Sequence, residues 1–394
     1  WGGWHASLSP EQTLRNEYVD VVVDGQGEAT FLDLVETLDH KTDLQNVAGL
    51  YYKKNGHVLK TAFREIEDIN HFHPLPYQLI DMNKYQNSAK TISVHTSHGC
   101  PHRCSFCATK TVFRRRWTAL TPEKVVDEVE FLVKTYGFTD IRFEDDNFFV
   151  DIHRVRKIAD EIIRRNLNIT WFGLTRAEYM KRMDDEYFAL MKKSGCNKLL
   201  IGTESGSQEV LDYLQKDTDV EDNYTFIKRC KKHDIVGWHS FMVGLPNEPS
   251  DSLEKTFKLI KFVKETDARN EILVFFYTPY PGNELWSEAI KYGFKPPQSL
   301  EEWAGYNITA VTTPWVTDEY KEKVKTFLYH INLAYPDRRT KERIKNDALK
   351  RTGYQFMKII SRLRLNLNYY SAPVEIQLKD LVLNYGKKFQ SVYT

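Results

Sequence analysis

Between about residues 91 and 292, short apolar runs alternate with amphipathic stretches, the pattern of strand-helix units repeated in series around a parallel sheet. Six such units are countable, with strands predicted at 92–96, 140–143, 169–174, 198–201, 236–243 and 272–277. Their apolar runs are continuous rather than alternating, as suits strands buried on both faces. The helices between them carry start and stop signals. Thr121-Pro122 reads as an N-cap with proline at the first helical position. Val125, Val126, Val129, Leu132 and Val133 then form one stripe, and Gly137 sits where a left-handed residue closes the helix. Asp151 opens the next helix, ahead of Ile152, Val155, Ile158, Ala159, Ile162 and Ile163 at helical spacing. Asp251 with Glu254 reads as a capping-box variant before Phe257, Ile260 and Val263.

The flanks break this rhythm. A strand predicted over 18–23 runs into Asp24-Gly-Gln-Gly-Glu28, after which Phe31, Leu32, Leu34, Val35 and Leu38 mark an amphipathic helix; the unit resembles the end of a doubly wound domain. Asn55-Gly56 between β-prone flanks predicts a hairpin, and the prolines of 71–76 a linker. After Tyr292 the alternation gives way to a charged, helical pattern in which Lys358, Arg362 and Arg364 form a basic stripe, read as a solvated face. The predicted fold class is therefore α/β: a partial (βα)6 barrel rather than a closed eight-unit one, preceded by the end of a Rossmann-like domain and followed by helices. The expected divisions fall at 1–45, 46–88, 89–293 and 294–394. In such a barrel, side chains at the C-terminal ends of the strands converge on one mouth.

Composition narrows the setting. The chain has 394 residues, 41% of them apolar, and 55 Lys+Arg against 54 Asp+Glu leave a formal charge of +1, so there is no general electrostatic reason to expect nucleic acid. No run reaches the length of a membrane span, and no basic-then-apolar leader opens the chain. Five cysteines, sparse and odd in number, fit a reducing, cytoplasmic compartment better than a disulfide framework. The chain begins with Trp1 rather than Met, so further sequence is expected upstream.

The chemistry concentrates directly after the first strand of the barrel. Cys100, Cys104 and Cys107 form a Cys-x-x-x-Cys-x-x-Cys array, three thiols within one short loop. Iron-sulfur clusters are normally held by four thiolates, so three leave one iron of a 4Fe-4S cluster open to a substrate. The competing reading is a zinc site completed by His98 or His102. Cys196 and Cys230 lie far from this array and from each other, and read as small buried hydrophobes.

With this array, and Phe106 just before its third cysteine, the chain resembles the radical S-adenosylmethionine enzymes, and within them the cobalamin (corrinoid)-binding branch. The resemblance implies a 4Fe-4S cluster on Cys100, Cys104 and Cys107, with S-adenosylmethionine chelating the open iron and reductively cleaved to a 5'-deoxyadenosyl radical. It places Glu144-Asp145-Asp146 at the second strand, where the family holds the cofactor's amino group; Asp145 and Asp146 are the expected contacts, with strand-end capping as the plain alternative. It likewise implies that Glu204 and Ser205 after the fourth strand contact the cofactor and that Arg176 after the third meets its carboxylate. The turns 242–246 and 278–283 become walls of the adenine and substrate sites. Gly2, Gly3 and Gly27 resemble the closing segments of a cobalamin-binding domain, with Gln26 replacing the acidic residue usual at that position.

The activity so implied is radical modification of an unactivated carbon of a small-molecule substrate, foremost cobalamin-dependent methyl transfer. Cyclisation or rearrangement, as in anaerobic tetrapyrrole cyclases, and a noncatalytic iron-sulfur protein are the alternatives. A flavodoxin- or ferredoxin-like electron donor is the expected partner, and Arg114, Arg115 and Arg116 beside the cysteine loop suit its acidic surface, an anionic substrate, or plain solvent.

Overall fold

The computed structural model describes residues 1–306, 313–336 and 348–370. Near the N-terminus β1 (Val21–Val23), β2 (Leu50–Lys54) and β3 (His57–Lys60) form an antiparallel sheet in that order, backed by the helix Glu28–Asp39. Asn55 and Gly56 take φ of 53° and 79°, the paired left-handed conformation that lets a two-residue turn follow the strand twist. The strand predicted over 18–23 is thus shorter than expected, and its described partner within the sheet is the antiparallel hairpin.

Six of the remaining strands make one parallel sheet: β4 (Thr91–Val94), then, beyond the short ribbon strands β5 (Ser97–Gly99) and β6 (Trp117–Ala119), β7 (Asp140–Phe143), β8 (Thr170–Arg176), β9 (Cys196–Glu204), β10 (Val236–Val243) and β11 (Glu271–Phe276). They lie side by side in sequence order, so each helix returns the chain to the position beside the strand it left. β4 and β11 are the two edges and do not pair, which leaves the sheet open. All six strands fall where the apolar runs predicted them, and their C-terminal ends share one rim. They are not all buried on both faces as expected: β7 and β10 alternate half-buried and buried residues and β11 has no buried residue, because helices cover only one face of the open sheet.

The helix stripes pack as core. Val125, Val126, Val129 and Leu132 of the helix Pro122–Tyr136, and Ile152, Val155, Ile158 and Ile162 of Ile152–Arg164, join Ile141, Phe143, Leu199 and Ile201 in one buried cluster that includes Cys196 and Cys230. Thr121 caps the first of these helices, Gly137 closes it at φ 73°, and Asp151 caps the second by accepting from the amides of His153 and Arg154.

The predicted capping box at Asp251 does not form. Asp251 makes no side-chain cap bond and pairs with Lys255 at 2.7 Å, while Glu254 pairs with Lys323. Glu248 organises this turn instead, accepting from the Gly244 amide at 2.8 Å, the Ser252 hydroxyl at 2.7 Å and the Tyr320 hydroxyl at 2.8 Å. A lysine one turn on and a better-placed carboxylate have outcompeted the local cap.

A second cluster fixes the tail: Phe257 stacks on Phe327 at 3.8 Å, joining the helix Ser252–Thr266 to Asp318–Ala334, against which Ala348–Leu367 lies. Arg362 and Arg364 of the basic stripe sit over the rings of Tyr335 and Tyr369. The parts of the expected helical tail at 307–312, 337–347 and 371–394 lie outside the described residues. Among the described residues no helix is long and apolar enough to cross a membrane.

Candidate metal and cofactor site

The loop bearing Cys100, Cys104 and Cys107 is closed at its base by the antiparallel ribbon of β5 and β6. Gly99 is indispensable to that closure. Its φ is 78°, and a β-carbon there would meet the Arg116 carbonyl at 2.3 Å. The rest of the loop is tied to the rim of the parallel sheet. After β7, Asp145 accepts from the Thr96 amide at 2.5 Å and from the hydroxyls of Thr96 and Ser97 at 2.6 and 2.8 Å, while Asp146 accepts from the Gly99 amide and the Thr109 hydroxyl, both at 3.2 Å. Beyond β9, Ser105 donates to the carbonyls of Leu214 and Tyr213. Beyond β11, Asn283 donates to the Phe106 carbonyl at 2.9 Å, and Thr111 donates to the Gly282 carbonyl at 2.8 Å. Local sequence makes the loop; three distant segments hold it.

Arg176, at the end of β8, turns inward with its side chain only 7% exposed. Its Nη1 donates to the Cys104 sulfur at 3.0 Å, Nη2 to the Lys216 carbonyl and Nε to Glu178, whose other oxygen accepts from Thr218 at 2.8 Å. On the other side of the loop, Asn147 donates to the Tyr179 hydroxyl at 2.8 Å and makes a longer contact, 4.0 Å, with the Cys100 sulfur; His102 shares the same hydroxyl at 2.7 Å. Burial, reinforced by the Arg176 and Lys216 charges, pushes His102 down to about 3, so it is neutral near pH 7. Burial likewise raises Asp146.

The same burial pushes the Cys100 thiol up to about 11 and raises Cys107. Left to themselves these thiols stay protonated at neutral pH, and thiolates here require a positive group such as a metal centre. Among the described residues no three His, Cys, Asp or Glu side chains gather as ligands around a single ion. A four-iron cluster makes no such demand, since its irons stand at separate corners and each takes its own thiolate. The donor set therefore fits a cluster held by Cys100, Cys104 and Cys107.

Glu204 ends β9 in a left-handed conformation, φ 57°, and its carboxylate pairs with Lys216 at 2.7 Å, both side chains less than a tenth exposed. A side chain at Gly202 would collide with this pair, its β-carbon 2.7 Å from the Lys216 nitrogen. Ser205 turns its hydroxyl to Thr256 at 3.0 Å. Thus Asp145, Asp146, Arg176 and Glu204 lie together at the rim around the cysteine loop, whereas the Ser205 hydroxyl is engaged with the helix behind it.

The N-terminal glycines sit on the loop's flank. Gly3, φ 88°, precedes the helix Trp4–Leu8, and Gly27 precedes Glu28–Asp39. Trp4 packs edge-on against Phe113, and Glu28 lies 3.8 Å from His98. Gly2 lies beside Val23. Arg114, Arg115 and Arg116 are exposed, the first over the Phe63 ring and the second donating to the Pro101 carbonyl within the cysteine loop.

Sequence reasoning missed Glu178, Tyr179 and Lys216. No motif marks them, and they reach the site only because chain segments far apart in sequence pack against the loop. Asn147 did carry a signal, being the residue after the acidic run.

The profile of the Radical SAM superfamily matches residues 94–260, and the chain belongs to that superfamily. Among curated relatives, an uncharacterized methyltransferase of Pyrococcus horikoshii is 34% identical over 293 residues, 73% of this chain and 62% of the relative. The anaerobic magnesium-protoporphyrin IX monomethyl ester cyclase of Rubrivivax gelatinosus is 32% identical over 365 residues, 87% of this chain and 63% of the relative. The chain thus spans about three fifths of the length of these relatives. The cobalamin-dependent S-adenosylmethionine radical enzyme OxsB shares the fold at a TM-score of 0.69 with 18% identity, over 98% of this chain and 62% of that one. TsrM from Kitasatospora setae, a radical S-adenosylmethionine methyltransferase solved with cobalamin and a 4Fe-4S cluster, shares it at 0.64 with 17% identity, over 75% of this chain and 60% of that one.

Proposed function

We propose that this protein reductively cleaves S-adenosylmethionine at a 4Fe-4S cluster held by Cys100, Cys104 and Cys107, and uses the radical to modify an unactivated carbon, most directly by cobalamin-dependent methyl transfer. The observation that carries the reading is the single loop of three thiols, Cys104 buried and Cys100 and Cys107 half-buried, clamped at the rim of an open parallel sheet. When bound, the cluster supplies one electron to the sulfonium and cobalamin supplies the methyl carrier; positioning and exclusion of water fall to the protein.

Cys100, Cys104 and Cys107 would hold the cluster by one thiolate each, leaving one iron open to the cofactor. Asp145 and Asp146 brace the loop, and Asp146, its charge disfavoured by burial, gains from a cofactor ammonium placed nearby. The Glu204–Lys216 pair offers the cofactor one acceptor and one cation at the next strand end. Ser205, as placed, serves the site by fixing the β9 turn. Gly2, Gly3 and Gly27 support a corrinoid next to the cluster, because their segments pack on the loop's own flank through Trp4 and Glu28. The exposed arginines 114–116 suit an acidic flavodoxin- or ferredoxin-like donor.

The relatives' printed names support both methyl transfer and cyclisation, so the second reading keeps the radical step and ends in ring closure. Anaerobic reconstitution with iron and sulfide, followed by dithionite and S-adenosylmethionine, tests the shared step: 5'-deoxyadenosine is expected, and its absence from a fully loaded sample overturns it. Product mass then separates the two endings, a gain of one methyl group against a loss of hydrogens.

A further inference from the structure

We infer that Arg176 and Glu178 act as opposed positioning residues that set the reduction potential of the cluster on Cys100, Cys104 and Cys107. The inference rests on the cluster reading above and deepens it. Every nitrogen of the Arg176 guanidinium is engaged inside the protein: Nη1 on the Cys104 sulfur at 3.0 Å, Nη2 on the Lys216 carbonyl, Nε on Glu178. With three of its five N–H donors so committed, the guanidinium is fixed against the cysteine loop. Its charge is permanent and, at 6% exposure, little screened.

The couple it acts on transfers one electron and breaks no bond. The oxidised cluster accepts an electron from a low-potential reductant and becomes more negative by one charge, carried largely on the irons and their sulfur ligands. A cation donating a hydrogen bond to one of those sulfurs stabilises the reduced state more than the oxidised one and raises the potential. Glu178 works against it. Its carboxylate lies on the Arg176 Nε, held there by Thr218, and cancels part of the positive field. The two side chains are partners in space with opposite effects on the same couple.

Opposite signs make the test specific. The full chain and the variants Arg176→Gln, Arg176→Lys and Glu178→Gln are reconstituted anaerobically, assayed for iron and sulfide, and titrated with dithionite without S-adenosylmethionine while the reduced cluster is followed by electron paramagnetic resonance. Arg176→Gln is expected to lower the reduced-to-oxidised ratio at a fixed potential about tenfold, a fall of about 59 mV in a one-electron couple. Arg176→Lys retains most of the wild-type value, and Glu178→Gln raises the potential.

Unchanged potentials, or shifts of the same sign in Arg176→Gln and Glu178→Gln, overturn the inference, since a merely structural role has no reason to produce opposite shifts. If Arg176→Gln does not take up iron, Glu178→Gln decides alone: an upward shift supports the inference and any other result rejects it. A wild-type protein that fails to load four irons rejects the cluster reading itself, which the iron assay reports separately.

Discussion

Glu204 combines two costs that folding ordinarily avoids: a left-handed backbone at a residue with a side chain, and a carboxylate nearly removed from water. Both are tolerated because Lys216 stands 2.7 Å away, itself held between Gln215 and Asp217, two further residues at positive φ. Removing one partner of such a pair strands the other charge. Lys216→Met is expected to lower stability by about 3–5 kcal/mol in urea denaturation, and adding Glu204→Leu to recover much of that loss. A double variant as unstable as the two single losses combined shows that the pair is not coupled. At Cys104, 6% exposed beside Arg176, replacement by alanine is expected to cut iron uptake on reconstitution more than tenfold while the circular dichroism spectrum stays unchanged. Full iron loading in that variant removes Cys104 from the ligand set.

At the scale of elements, capping separates what local sequence decides from what neighbours override. Asp151 accepts from two amides at its helix start, and Asp151→Ala is expected to cost about 1 kcal/mol. Asp251, which the sequence pattern also marks as a cap, is turned toward Lys255, and Asp251→Ala is expected to stay within about 0.5 kcal/mol of wild type. Thermal unfolding of the pair checks both, and equal losses contradict the assignment. The difference was illegible because Glu248, which organises the Asp251 turn, works together with Tyr320 some seventy residues on. Conversely, Asp219 and Asp222 form a reciprocal capping box that reading for glutamate or glutamine at the third position passes over.

The ribbon of β5 and β6 was equally hidden. Its strands, Ser97–Gly99 and Trp117–Ala119, are too short to show a period, and their pairing is what shapes the cysteine loop.

For the whole molecule, buried histidine ties stability to pH. His239, 1% exposed with Nδ1 on the Thr203 hydroxyl at 3.0 Å, is pushed down to about 3 by burial. Below about pH 6.5 the unfolded chain binds a proton that folded His239 refuses until about pH 3, so its contribution to stability is complete above pH 6.5 and falls as pH drops through that window. The slope from one such group is about 1.4 kcal/mol per pH unit. Between pH 7 and pH 5, His239→Gln is expected to lose about 2 kcal/mol less than the wild type in urea denaturation, and an identical loss refutes the assignment.

What the chain determined by itself follows from short-range chemistry. Apolar runs at regular intervals require strands, the stripes between them require covering helices, and three closely spaced thiols require one loop, whatever the surroundings. Tertiary structure alone decided which groups surround those thiols. Arg176, Glu178 and Tyr179 lie on one stretch after β8 and Lys216 on another, both distant in sequence from the cysteine loop, and they matter to the site because the fold brings them within a few ångströms of the loop and removes the water that would screen their charges. Spacing along a chain encodes the ligands of a site; the field in which they work arises only when distant residues are buried together.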